Sequence, residues 1–182
     1  MTKIIPVVSA DDILEDYRDT PVGDLLAYHN LDRPLEPAEP RQILIGMCMD
    51  SRKALRLPPE FAFILRTAGA NLRDNEFRIS YAIAVGGVRT IALIAHTDCG
   101  MKRVAGQREA FVRGLVEHAG WQAEQAEAMF AEGVPKFGIS DEVEFVMGEA
   151  ERLRALYPRI AVVPLLYRVE DDRLYQLRPE SG

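Results

Sequence analysis

Apolar residues in this chain gather into short, nearly unbroken runs, and those runs predict the strands. The first clear one is QILIGMCM at 42–49. So few polar interruptions fit a strand covered on both faces, as in a parallel sheet. FAFIL at 61–65 and TIALIA at 90–95 repeat the pattern. IAVVPLL at 160–166 is a fourth run, which Pro164 pushes towards an edge or an irregular end, because proline donates no ladder hydrogen bond. RLYQL at 173–177 predicts a short terminal strand.

Helical spacing fills the intervals. Residues 76–85 carry Phe77, Tyr81, Ile83 and Ala84, and Gly86 and Gly87 then offer a left-handed stop. Residues 107–131 form a long amphipathic stretch through Phe111, Leu115, Val116, Trp121 and Met129, with Gly114 and Gly120 as candidate breaks. A further helix starts at Ser140, Asp141 or Glu142 and runs to Leu156, where Tyr157-Pro158 stops it. Strands alternating with helices predict an α/β fold: a mostly parallel central sheet of four to five strands, flanked by helices.

Residues 1–40 read as an irregular N-terminal helical arm. Asp11 or Asp12 caps a short helix around 13–17, and Pro21 starts another through Leu25 and Tyr28. Pro34, Pro37 and Pro40 make a linker-like connection. Such an arm is too thin to fold alone and is expected to pack on the main domain or a partner subunit. Residues 41–182 are expected to form one α/β catalytic domain.

Composition narrows the class. A chain of 182 residues, 48% hydrophobic and 27% charged, suits one soluble globular domain. A net charge of −6 without a basic stripe argues against a nucleic-acid partner. No stretch approaches the roughly 20 apolar residues of a membrane span. The start, MTKIIPVVSADD, turns acidic without a small-residue cleavage site, so a cytoplasmic location is expected. There a disulfide between Cys48 and Cys99, the only two cysteines, is disfavoured.

The candidate chemistry sits at two strand ends. Cys48-Met49-Asp50-Ser51-Arg52 follows the first apolar run, and His96-Thr97-Asp98-Cys99-Gly100 follows the third. Ligands of open α/β sheets collect outside the carboxyl ends of strands. Zinc accepts thiolate and imidazole in tetrahedral geometry, so Cys48, His96 and Cys99 form a candidate three-ligand zinc site. Three protein ligands leave a fourth position open, which marks catalytic rather than structural zinc. Asp50, two residues from a ligand, can reach the same ion. Arg52 offers a bidentate fork that can hold the carboxylate away.

The segments CMDSR and AHTDCG, with RTAGAN at 66–71 between them, resemble the β-class carbonic anhydrases, closely over residues 41–105. The resemblance implies an α/β fold, one zinc ion per chain, a homodimer or dimer of dimers, and reversible hydration of carbon dioxide to bicarbonate and a proton. It matches Cys48, His96 and Cys99 to the zinc ligands, and Asp50 and Arg52 to an Asp–Arg pair. Asp50 then either joins zinc in a closed site or is held by Arg52 in an open one. Two alternatives remain: a carbonyl sulfide or carbon disulfide hydrolase on the same scaffold, and a non-catalytic zinc-binding homologue with a closed site. Thr67 and Ala70 stand where the family commonly has asparagine and glycine.

Several residues are set aside. His29 and His118 read as surface histidines, with His118 a candidate proton shuttle if its helix covers the site. Ser51 reads as a turn cap. Asp98 reads either as an acceptor beside the ligands or as a turn former. Cys48 is not a phosphatase cysteine, since position 54, where an arginine is wanted, is Ala54.

Overall fold

The fold described here is that of a computed structural model, which describes residues 1–35 and 43–180. The strands are β1 (Thr2–Ile5), β2 (Ile43–Cys48), β3 (Phe63–Thr67), β4 (Thr90–His96), β5 (Ala161–Arg168) and β6 (Arg173–Pro179). The helices are α1 (Pro21–Leu31), α2 (Glu76–Ala84), α3 (Arg108–Ala119), α4 (Ala123–Phe137) and α5 (Glu142–Leu156). The strands form one sheet in the order β1-β6-β5-β4-β2-β3. β3, β2, β4 and β5 run parallel, while β6 and β1 add antiparallel at one side.

Alternation along the central strands builds two core layers. Ile43, Ile45 and Met47 of β2 share one face with Ala92 and Ile94 of β4. Leu44 shares the other face with Ile91, Leu93 and Ala95. Val22, Leu25 and Leu26 of α1 close the first layer. Ile79 and Ala82 of α2, with Val146, Ala150 and Leu153 of α5, close the second. Gly46 makes room for the second layer: a Cβ there would lie 2.7 Å from Leu72 Cδ1, so that side chain would have to shift.

Four expectations need correction. The N-terminal arm, read as irregular and helical, contributes the sixth strand, and β1 pairs with β6 from Thr2↔Pro179 to Ile5↔Gln176. The expected helix at 13–17 is a pair of short 3-10 turns, Ala10–Asp12 and Glu15–Tyr17. β5 is internal despite Pro164, which pairs with Leu93; the β6 register begins one residue later, at Leu165, so proline stands just outside those rungs. β3, expected to be covered on both faces, is an edge strand with Phe63 and Ile64 exposed.

The long amphipathic stretch divides into α3 and α4 at Gly120, whose φ of 70° ends α3 in a left-handed cap; Gly114 does not interrupt it. Asp141 caps α5 by accepting from the Val143 and Glu144 amides. The proposed linker at 34–40, the domain start at Arg41 and the expected strand residue Gln42 fall wholly or mostly outside the described residues.

Candidate metal centre

Parallel pairing of β2 with β4 brings their carboxyl ends side by side. β2 ends at Cys48 and β4 at His96. Asp98 turns the chain with a φ of 54°, a left-handed conformation that aspartate tolerates, and Cys99 returns beneath the strand ends. The donor atoms of Cys48, His96 and Cys99 all lie within 4.8 Å of one another, and all three residues are buried. The two cysteines are not bonded to each other.

These donors suit a borderline-soft cation. His96 Nδ1 lies 2.9 Å from the Thr97 carbonyl oxygen. A carbonyl only accepts, so Nδ1 carries the proton and Nε2 keeps its lone pair. Nε2 is buried without a hydrogen-bond partner among the described residues. An orphaned imidazole nitrogen beside two sulfurs is what a metal would satisfy. The Cys48 thiol is pulled well below its ordinary range, chiefly by its hydrogen bond with Cys99. The same contact, with burial, pushes the Cys99 thiol up. The pair thus retains one proton, which a thiophilic ion would displace.

Asp50 lies just outside this cluster. Its Oδ2 is 4.0 Å from His96 Nε2. Arg52 Nε contacts both carboxylate oxygens, at 3.1 and 3.2 Å, and Nη2 donates to Oδ2 at 2.7 Å. Those bonds hold the Asp50 carboxyl well below the usual carboxylate range. Arg52 is fixed in turn by Asp98, whose carboxylate accepts from Nη1 at 2.7 Å and whose carbonyl accepts from Nη2 at 2.9 Å. Asp98 thus makes the turn, and its carboxylate accepts from Arg52 and Arg103 rather than from one of the three candidate ligands. A cavity of about 190 Å³ opens beside the cluster, lined by the two cysteines, Asp50, Met49, Ala68 and Met101.

Some site residues were not foreseen. Lys53 is buried, with Nζ 4.0 Å from Asp50 Oδ1. A lysine following an arginine reads as a solvated residue, and no spacing signal distinguishes it. Glu142 is buried at the start of α5, accepts from the Cys99 amide at 3.3 Å and pairs with Lys102 at 2.9 Å. It ties α5 to the turn that carries Cys99. His29, expected at the surface, is 4% exposed; its Nδ1 accepts from the Arg56 amide and its ring lies 5.8 Å from that of Tyr167. His118 is exposed on α3, as expected.

Gly69 and Ala70 both have positive φ, 64° and 62°. The backbone thus keeps a two-residue left-handed turn even where alanine replaces the family's glycine. The Thr67 hydroxyl, at the position where the family commonly has asparagine, is buried without a hydrogen-bond partner among the described residues.

Comparison with known proteins places this geometry in a family. A family model described as carbonic anhydrase matches residues 43–156. The chain belongs to the carbonic anhydrase family, in its β class. Its fold is similar to the carbonic anhydrase of Streptococcus mutans, with a TM-score of 0.57 and 25% identity over 90% of this chain and 99% of that one. An apo carbon disulfide hydrolase matches with a TM-score of 0.55 and 22% identity, over 88% of this chain and 90% of that one. Among curated proteins, the carbon disulfide hydrolase of Acidianus sp. (strain A1-3) is 31% identical over 113 residues, 58% of this chain and 52% of that one. The carbon disulfide hydrolase of Saccharolobus solfataricus is 40% identical over 75 residues, 38% of this chain and 37% of that one. The chain thus spans about half or less of the length of these two curated relatives.

Proposed function

We propose that this protein is a zinc-dependent carbonic anhydrase that hydrates carbon dioxide reversibly to bicarbonate and a proton. The observation that carries the reading is the buried Cys48–His96–Cys99 cluster, with the orphaned His96 Nε2 at its centre and Asp50 clasped by Arg52 beside it. Cys48, His96 and Cys99 would hold the ion. When bound, zinc supplies the Lewis acidity that makes water a competent nucleophile at moderate pH.

The chain's own residues supply the rest. Asp50 stays ionised because Arg52 holds its carboxyl low, so it accepts a hydrogen bond from the attacking water and orients it. Arg52 fixes that carboxylate through the Asp98 anchor. Met49, Ala68 and Met101 line the adjoining cavity with apolar groups, which suits a small, linear, uncharged substrate.

A second reading is hydrolysis of carbon disulfide or carbonyl sulfide. Two curated relatives carry the name carbon disulfide hydrolase, and the apolar, methionine-lined cavity also suits small linear substrates of that kind. Stopped-flow assays with the zinc-loaded protein separate the two. Carbon dioxide hydration above about pH 8 supports the first reading, because two thiolates offset the charge of zinc and shift activity to the alkaline side. Turnover of carbon disulfide or carbonyl sulfide alone selects the second.

We further propose a homodimer as the working unit, in the cytoplasm. The edge strand β3 exposes Phe63 and Ile64, and α2 exposes Phe77 and Tyr81, with Val85 just after it. Apolar side chains along an open sheet edge favour a partner. No helix among the described residues is long and apolar enough to cross a membrane. Sedimentation at micromolar concentration tests the dimer, and a monomer there contradicts it.

A further inference from the structure

The Lys53 side chain is 0% exposed, and Nζ has no hydrogen-bond partner among the described residues. Burying an ammonium is costly unless an anion compensates, and an apolar side chain of similar length would avoid that cost. The available anions lie on one side, at the metal cluster. Nζ is 4.0 Å from Asp50 Oδ1, while the other carboxylate oxygen, Oδ2, is 4.0 Å from His96 Nε2. Asp50 therefore has one oxygen turned towards the cluster and one towards a buried cation. Arg52 grips both oxygens from a third direction, but its own side chain is 43% exposed and shared with Asp98.

We propose that Lys53 is a positioning residue for Asp50: its ammonium holds Oδ1 and, with Arg52 on both oxygens, keeps the carboxylate from taking the fourth metal position. This deepens the functional reading above and rests on it. Arg52 supplies directional hydrogen bonds, and Lys53 supplies a charge that solvent cannot screen. Without Lys53, Asp50 remains bound to Arg52 but shifts towards the ion for a larger share of the time. A ligand competing for that position then binds more weakly, in proportion to the fraction of open sites.

The test uses cobalt(II)-loaded protein and azide, followed by the visible bands of the metal. Azide should change the wild-type spectrum on titration. Lys53→Met should weaken its apparent affinity by about tenfold, the change expected when the open fraction falls to about a tenth. Lys53→Arg, which keeps the charge, should remain within about threefold of wild type. In the Asp50→Ala background, adding Lys53→Met should alter affinity by less than about twofold, because there is no carboxylate left to position. Thermal unfolding checks each variant's fold, and Lys53→Gln replaces the methionine variant if that one misfolds. An unchanged azide affinity in Lys53→Met, or an equal loss with and without Asp50, would overturn the proposal while leaving the metal centre intact. A wild-type protein that takes up no cobalt would overturn the metal reading, and the proposal with it.

Discussion

Arg52 clasps Asp50 along two edges, with Nε 3.1 and 3.2 Å from its oxygens and Nη2 2.7 Å from Oδ2, and the two residues are separated in sequence only by Ser51. So short a loop makes the pair a single unit. Asp98 then attaches that unit to the turn between His96 and Cys99. The ligand-bearing ends of β2 and β4 are thereby locked by side chains as well as by the sheet.

Breaking the clasp should cost activity without costing metal. Arg52→Gln removes both the fork and the anchor, and kcat/KM is expected to fall by about 10–100-fold, the usual effect of groups that orient a metal site. Zinc content should stay at the wild-type level, since none of the three donors is touched. Stopped-flow rates paired with metal analysis check this. Equal loss of zinc and activity would contradict it.

The pH dependence of this pair has a definite sign. Arg52 lowers the folded-state pKa of Asp50, so the pair's contribution to stability is complete above about pH 4 and fades as pH falls further. Without Arg52, Asp50 is freer to take the fourth metal position, and rising pH opposes this by favouring the competing hydroxide. The rate deficit of Arg52→Gln should therefore be larger at pH 6 than at pH 9. A deficit that is constant across that range would contradict this assignment.

A second buried carboxylate holds the fold rather than the site. Glu149 is buried in α5, accepts from the Leu72 amide at 3.2 Å and pairs twice with Arg152, at 2.9 and 2.8 Å. Glu149→Ala strands the Leu72 amide and leaves Arg152 paired with Glu76 alone, and is expected to cost about 1–3 kcal/mol. For a chain of this size that corresponds to a drop in Tm of roughly 2–12 °C, measurable by calorimetry.

The left-handed turn at Gly69 and Ala70 allows a paired comparison. Gly69→Ala places a side chain at a φ of 64° and should cost about 1–2 kcal/mol. Ala70→Gly relieves similar strain at 62° but frees the unfolded chain, so the two effects oppose and the net change should stay within about 1 kcal/mol. Denaturant unfolding of both variants tests the pair.

The central fold was legible because β2 and β4 are buried on both faces, and such strands read as unbroken apolar runs. β1 was not, because TKII is short, largely solvent-facing and becomes a strand only through pairing with β6. Pro164 misled because its effect depends on which rungs the neighbouring strand makes, and sequence does not reveal register. The metal donors and the Asp50–Arg52 pair could be read from two short motifs at strand ends. Lys53 and Glu142 could not, since their roles arise from burial beside those motifs, and each looks in sequence like an ordinary charged residue. His29 shows the same limit: a histidine in the N-terminal arm is enclosed by Arg56 and Tyr167, which lie far along the chain.

Metal content tests the central claim most directly. The protein, purified without chelators and measured by elemental analysis, should carry about one zinc per chain, and Cys48→Ser should lose most of it while keeping its secondary structure. Zinc retained in full by Cys48→Ser, or no zinc in a folded wild-type protein that has been offered the metal, would contradict the assignment of Cys48, His96 and Cys99 as the site that holds it.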